Sequence, residues 1–118
     1  MRSSELDATL AALADPVRRR AIELLKGKPH RAGDLARTLR VSASRMSQHL
    51  RVLRRSGLIE EHALEQDARV RLYRLNGEPF TALRGWLDEV ARFWALELAA
   101  FKSHVERTPR THRRAQDR

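Results

Sequence analysis

Residues 32–57 have the sequence AGDLARTLRVSASRMSQHLRVLRRSG, in which apolar residues recur at spacings of three and four. This spacing predicts a short helix over 32–39 and a longer one over 43–56, separated by a three-residue turn. Ser42 is a favourable N-cap for the second helix, and Gly57 is a favourable residue to end it. Two helices joined by so short a turn predict a helix-turn-helix motif.

The second helix of this motif separates apolar from polar residues. The side expected to face the core carries Ala43, Met46, Leu50 and Leu53. The opposite side is polar and basic, with Arg45 and Ser47 at its edges and, at its centre, Ser44, Gln48, Arg51 and Arg55. From Ser42 to Ser56 there are four arginines and no acidic residue, and an acid there would repel phosphate. Such a helix fits the major groove of B-DNA, where Arg and Gln pair with guanine and adenine edges.

The pattern changes after Gly57, where a hairpin is expected. Residues 58–64 and 69–75 predict two strands joined by a polar stretch. Arg69 and Arg71 of the second strand are expected to follow the DNA backbone or to enter a minor groove. A helix-turn-helix followed by a basic hairpin has the order of a winged helix.

Three further helices complete the predicted fold. Residues 4–14 predict a short amphipathic helix, and Asp15 with Pro16 starts a second helix that ends at Gly27. A long helix is predicted from Pro79 to Glu106. The fold class is therefore α+β, mostly α, a winged helix-turn-helix with the order α1-α2-α3-α4-β1-β2-α5.

Composition limits the class of protein. The chain has 118 residues, which suits one domain, and a formal net charge of +9, which favours a polyanionic partner. Residues 31–75 contain ten basic and five acidic residues, whereas residues 76–106 contain three basic and five acidic ones. The absence of Cys removes disulfides and thiolate metal sites. Neither a membrane span nor a signal peptide is predicted, so we expect a cytoplasmic protein.

The chain resembles the ArsR/SmtB family of bacterial and archaeal repressors. The similarity covers about residues 6–106 and rests on Ala11 to Ile22, Asp34-Leu35-Ala36, Ser42 to Leu53, Ser56 to Ile59 and Tyr73-Arg74-Leu75. It implies a winged-helix homodimer that binds a palindromic operator in double-stranded DNA. It also implies that an effector releases the dimer from that DNA. It also implies that the part of the recognition helix that contacts DNA contains Ser42, Ser44, Arg45, Ser47, Gln48 and His49. The helical angle of His49 lies beside the core face, so a packed histidine is an equally good interpretation.

The metal sites of the family do not carry over. The stretch that holds a cysteine cluster in other members, roughly residues 29–36, contains no Cys. The zinc pattern of the last helix keeps only Asp88 and His104 of four ligand positions, and zinc needs about four. We therefore predict no metal and no cofactor. A weak site between subunits stays open as the alternative, with ligands drawn from Asp88, Glu89, Glu97, His104 and Glu106.

The last helix holds five of the six aromatic residues. About 27 residues of helix extend roughly 40 Å, too far for one small domain to cover every apolar side chain. Uncovered, they would form a large apolar patch, and a symmetric homodimer through the terminal helices would bury it. The residues predicted at this interface are Leu6, Leu10, Leu13, Trp86, Val90, Phe93, Trp94 and Phe101. Residues 1–107 would form this domain, and residues 108–118 a disordered basic tail.

The favoured function is a sequence-specific transcriptional regulator, a dimeric repressor. A non-specific architectural DNA-binding protein is the main alternative, and an interaction module such as an antitoxin is another. An enzyme is not expected, because the chain has no phosphate-binding glycine loop, no HExxH motif and no convincing Ser-His-Asp arrangement. Whether an effector exists is left open, with a small apolar ligand at the dimer interface as one candidate.

Overall fold

The computed structural model describes residues 2–106, which form five helices and a two-stranded antiparallel sheet. The predicted class and element order, a mostly helical winged helix-turn-helix, are confirmed. The predicted tail, residues 108–118, lies outside the described residues. The elements are α1 (Ser3–Leu13), α2 (Pro16–Gly27), α3 (Ala32–Leu39), α4 (Ala43–Arg55), β1 (Ile59–Ala63), β2 (Arg71–Leu75) and α5 (Gly77–Glu106).

Side-chain caps set where α2 and α4 begin. The Asp15 carboxylate accepts hydrogen bonds from the backbone N–H groups of Val17, at 2.8 Å, and Arg18, at 3.1 Å. The Ser42 hydroxyl accepts one from the N–H of Arg45, at 3.1 Å. Each cap satisfies N–H groups that have no partner within the helix, which stabilises the helix start by about 1 kcal/mol.

The turn between α3 and α4 depends on a left-handed residue. Arg40 has φ 58° and ψ 46°, and the N–H groups of Arg40 and Val41 bond back to carbonyls of α3. This conformation ends α3 and redirects the chain, so that α4 starts three residues later. The sequence indicated the turn from its length, but not that an arginine would adopt this conformation.

The core lies between α2, α3, α4 and the sheet. The fully buried apolar side chains of the helix-turn-helix are Leu35, Met46, Leu50 and Leu53, as the helical spacing predicts. Ala43 was expected on this side and is exposed. Ala43 is the first residue of α4, and the first side chain of this helix to reach the core is that of Met46. In α1 the buried residues are Thr9 and Ala12, while Leu10 is 43 % exposed.

The hairpin is shorter than predicted. Ile59 pairs with Leu75 and Ala63 with Arg71, and the loop between the strands is closed by a hydrogen bond from the N–H of Leu64 to the carbonyl of Val70, at 2.9 Å. Arg69 therefore lies in this loop and not in the second strand. Within residues 64–70, turn hydrogen bonds replace the hydrogen bonds that would pair two strands.

A single residue, His30, forms a second backbone pairing with the sheet, next to that between β1 and β2. His30 and Tyr73 exchange two backbone hydrogen bonds, of 3.0 and 2.8 Å. This bridge joins the start of the helix-turn-helix to the hairpin. A single paired residue has no period-two pattern, so this bridge was not predicted from the sequence.

The last helix begins two residues earlier than predicted. Asn76 caps it, since its side-chain oxygen accepts from the N–H of Glu78 at 3.3 Å while its amide donates to the Gly57 carbonyl at 3.0 Å. Pro79 thus falls inside the first turn, where the N–H that proline lacks has no helical acceptor.

Two compact units are distinguished, the first ending at Leu83 and the second beginning at Arg84. The first contains every buried residue named above. In the second, the residues from Arg84 to Glu106 are exposed apart from the partly buried Val105. No helix within residues 2–106 is long and apolar enough to cross a membrane.

Candidate nucleic-acid interface

The side of α4 that faces away from the core exposes the polar residues that the sequence placed there. Met46, Leu50 and Leu53 anchor the helix on one side. The polar residues predicted to contact DNA are exposed on the others, namely Ser42, Ser44, Arg45, Ser47, Gln48, Arg51 and Arg55. Because the whole helix lacks Asp and Glu, this surface carries only positive or neutral side chains.

Two of these residues have additional structural contacts. The Ser42 oxygen caps α4, although its hydroxyl proton stays available as a donor. Arg55, at the far end of the helix, lines an open cleft of about 800 Å³ together with Thr9 of α1 and Pro79 of α5. The structure therefore places Arg55 beside α1 and the start of α5, at the opposite end of α4 from Ser42 and Ser44.

His49 is half-buried at the edge of this surface. Its Nδ1 atom lies 3.3 Å from Nη1 of Arg18, a residue of α2. This contact supports the interpretation of His49 as a packed histidine. Contact of the remaining nitrogen, Nε2, with a base stays a prediction.

The two arginines predicted on the hairpin differ in their surroundings. Arg69 donates from both its Nε and Nη2 atoms to the carboxylate of Asp67, at 3.1 and 3.2 Å. These bonds, with one from the Arg69 N–H, hold the pKa of Asp67 below its ordinary value. Arg71 is exposed at the end of β2 next to the loop. The Nε and Nη2 atoms of Arg69 are therefore occupied by the Asp67 carboxylate.

A polar contact that the sequence did not reveal connects the hairpin to α4. The Tyr73 hydroxyl donates to the Glu61 carboxylate at 2.7 Å, and Arg54 of α4 lies 3.8 Å from the same carboxylate. Burial of the ring, together with the hydrogen bond to Glu61, raises the pKa of Tyr73 to about 12. Glu61 and Tyr73 are cross-strand partners in the register of the hairpin, which was not predicted from the sequence.

Comparison with known proteins gives consistent matches. Residues 15–61 match the family model described as bacterial regulatory protein, arsR family. The HTH-type transcriptional regulator Rv2034 of Mycobacterium tuberculosis is 36 % identical over 100 residues, which cover 85 % of this chain and 88 % of that protein. A crystal structure of an ArsR family transcriptional regulator superimposes with a TM-score of 0.72 at 32 % identity, covering 80 % of this chain and 95 % of the other. This chain belongs to the ArsR family.

Membership of the ArsR family makes the protein a DNA-binding transcriptional regulator, and the class is not enzymatic. A further match is the transcriptional repressor SdpR of Bacillus subtilis, 39 % identical over 51 residues that cover 43 % of this chain and 57 % of SdpR. The resemblance noted from the sequence is thereby confirmed.

The residues predicted at a dimer interface divide into two groups. In α1, Leu6 is half-buried and Leu13 packs on the core, whereas Leu10 is 43 % exposed. The α5 residues are exposed, with Phe93 63 %, Trp94 61 % and Phe101 65 % accessible, and Trp86 and Val90 are less so. The prediction omitted three further exposed apolar side chains of this helix, Leu87, Leu96 and Leu98.

Metal-binding side chains do not converge in the described part of the chain. Within residues 2–106, no three His, Asp or Glu side chains are arranged so that they could hold a metal ion. Asp88 and His104, the two positions that keep the zinc pattern of the ArsR/SmtB family, both lie on α5 and are exposed.

Proposed function

We propose that the protein is a homodimeric repressor that binds a palindromic operator, with α4 in the major groove and the hairpin along the adjacent backbone. The observation that carries this proposal is the exposed, acid-free side of α4, held in place by Met46, Leu50 and Leu53. Gln48 and Arg51, at the centre of that side, are the residues that we assign to base edges, since amide and guanidinium groups pair with adenine and guanine.

The other predicted residues would position the helix. Ser42, Ser44, Ser47, Arg45 and Arg55 have the donors that bind phosphate oxygens, and Arg69 and Arg71 extend this row to the hairpin. Such contacts add affinity without sequence preference. The similarity to a protein named as a repressor favours repression, with the bound dimer blocking access of the polymerase to a promoter.

Dimerisation is supported by the exposed apolar side chains of α5. Eight large apolar residues from Trp86 to Phe101 are at least 37 % exposed. Patches of this kind are typical of interfaces between proteins, and a second copy offers the same surface. In a symmetric dimer the two α4 helices would contact half-sites about one helical turn of DNA, or a multiple of it, apart.

A selection experiment tests the proposal directly. The purified protein would be incubated with a pool of random-sequence duplexes at about 0.15 M salt, where non-specific binding is weak, and the retained DNA sequenced. We expect enrichment of an inverted repeat. Enrichment of a single half-site would contradict the dimer, and no enrichment would favour the architectural alternative.

The role of Gln48 is tested on the selected duplex. Gln48→Ala should lower the preference for that duplex over a scrambled one by about 1–3 kcal/mol, because one base contact is lost. Gln66→Ala, which changes an exposed glutamine in the hairpin loop, is the matched control. Equal weakening on both duplexes would make Gln48 a phosphate contact. Fluorescence anisotropy measures both affinities.

A further inference from the structure

One arginine of α2 contacts two other helices at once. The Arg18 guanidinium donates from Nε to the carbonyl of Ala12, at 2.6 Å, and from Nη2 to the carbonyl of Ala11, at 3.1 Å. Both carbonyls belong to the last turn of α1, where a cation is also favoured by the helix dipole. The third nitrogen, Nη1, lies 3.3 Å from Nδ1 of His49 in α4.

The chemistry of the pair fixes which atom donates. A guanidinium has donors only, so Nδ1 of His49 must be the acceptor, and the neutral ring then carries its proton on Nε2. The nearby Asp15 carboxylate caps the same turn of α2 that carries Arg18. Arg18 is half-buried, and its contacts with Ala12 and His49 are partly shielded from solvent.

The neighbouring arginines do not share this arrangement. Arg19 also reaches the end of α1, donating from Nη1 to the Leu13 carbonyl at 2.7 Å, but its side chain is exposed. Of the two, Arg18 is the one whose guanidinium has a hydrogen-bond partner on α4. Arg19 therefore provides a matched comparison, with the same charge and the same kind of contact to α1.

We propose that Arg18 is a positioning residue that fixes the rotation of the recognition helix α4 relative to α1, acting through His49. His49 follows Gln48 directly, so a rotation of α4 that moves the imidazole also moves the residues assigned to base edges. This inference rests on the proposed function. It adds that α1, which carries the exposed Leu10, is connected by one side chain to the helix that contacts DNA.

The expected effect is a loss of discrimination. Arg18→Ala should reduce the preference for the selected duplex over a scrambled duplex at least about tenfold, while affinity for the scrambled duplex changes less than about twofold. Arg19→Ala should leave the preference unchanged. If Arg18→Ala weakened both duplexes equally and lowered the salt slope by about 0.9, Arg18 would be a phosphate contact and the inference wrong.

Two conservative variants of His49 separate positioning from base contact. The amide oxygen of Asn takes a position close to that of Nδ1, whereas the amide of Gln reaches the position of Nε2. We expect His49→Asn to retain the preference and His49→Gln to lose it, and His49→Ala to have no further effect in an Arg18→Ala background. Retention by His49→Gln alone would assign His49 to a base and overturn the inference.

A measurement without DNA covers the case in which a variant is poorly folded. Nitrogen-15 NMR of the wild-type imidazoles should show His49 with an unprotonated Nδ1, and Arg19→Ala should leave that signal in place. A wild-type ring protonated on Nδ1 would overturn the inference. Equal binding of the wild type to every duplex would overturn the proposed function as well, whereas a preference unaffected by Arg18→Ala would overturn this inference alone.

Discussion

The two units of the chain differ in how far their apolar side chains are buried. In the unit that ends at Leu83, Leu35, Met46 and Leu53 are completely buried, and polar groups face outward. In the part of α5 from Arg84 to Glu106, Phe93, Trp94 and Phe101 are more than 60 % exposed. Burial of apolar side chains in the first unit is typical of a hydrophobic core, whereas their exposure in the second is typical of a surface that binds another protein.

The largest expected effect lies in the first unit. Leu53→Ala removes a fully buried side chain from α4 and leaves a cavity, which should lower the free energy of unfolding by about 2–5 kcal/mol. Urea unfolding followed by circular dichroism measures this loss. Arg92→Ala, at an exposed polar position of α5, is the control and should cost far less. Equal losses would mean that the two units do not differ as described.

Phe93→Asp tests the second unit. A charge placed within an apolar interface should raise the dissociation constant of the dimer at least about thirtyfold, about 2 kcal/mol, the size of one central interface residue. Sedimentation equilibrium measures this constant. The exchange Arg84→Asp, which introduces the same side chain at the start of the unit, is the comparison. A wild-type protein that stays monomeric at every concentration would remove the homodimer from the proposal.

Asp15→Asn tests how far polar contacts at helix ends support the first unit. Burial alone would raise the pKa of Asp15, but hydrogen bonds from the N–H groups of Arg18 and Val17, with the nearby charges, lower it below its ordinary value. A lowered pKa means that the carboxylate stabilises the fold above about pH 4, and that this contribution is lost as the pH falls further.

Asp15→Asn should therefore be less stable than the wild type at pH 7, by up to about 1 kcal/mol, and equally stable near pH 2. Asp15→Ala, which also removes the oxygen that caps α2, should stay destabilised at both values. Thermal unfolding at several pH values measures the difference. A constant gap between Asp15→Asn and the wild type would show that charge has no part in the cap.

The sequence predicted most of the first unit because its signals are local. The spacing of Met46, Leu50 and Leu53 depends only on helix geometry, and the caps at Asp15 and Ser42 depend on residues within three positions. The contact of Arg18 with His49 spans 31 positions, and the bridge between His30 and Tyr73 spans more. Long-range contacts like these leave no periodic pattern in a single sequence. For the same reason the sequence left both roles of His49 open.

The smallest expected effect concerns the charged surface of the hairpin. Because Arg69 is held by the Asp67 carboxylate, part of its charge is neutralised before DNA arrives. Asp67→Asn keeps an oxygen that can accept from the Arg69 N–H but removes the negative charge. Affinity for a random duplex should rise up to about fivefold, within the 1 kcal/mol typical of an exposed ion pair, and the salt slope should steepen.

Two controls separate release of Arg69 from a general gain of positive charge. Glu65→Gln makes the same charge change in the same loop, and the double variant Asp67→Asn with Arg69→Ala removes the arginine that would be released. If Arg69 contacts the backbone, affinity for the random duplex should rise most in Asp67→Asn and return to the wild-type level in the double variant. An equal rise in Asp67→Asn and Glu65→Gln would mean that net charge, and not the freed Arg69, governs the contact of the hairpin with DNA. In that case the buried core of the first unit would position α4 without help from the hairpin. The hairpin would contribute to DNA binding only through its overall charge.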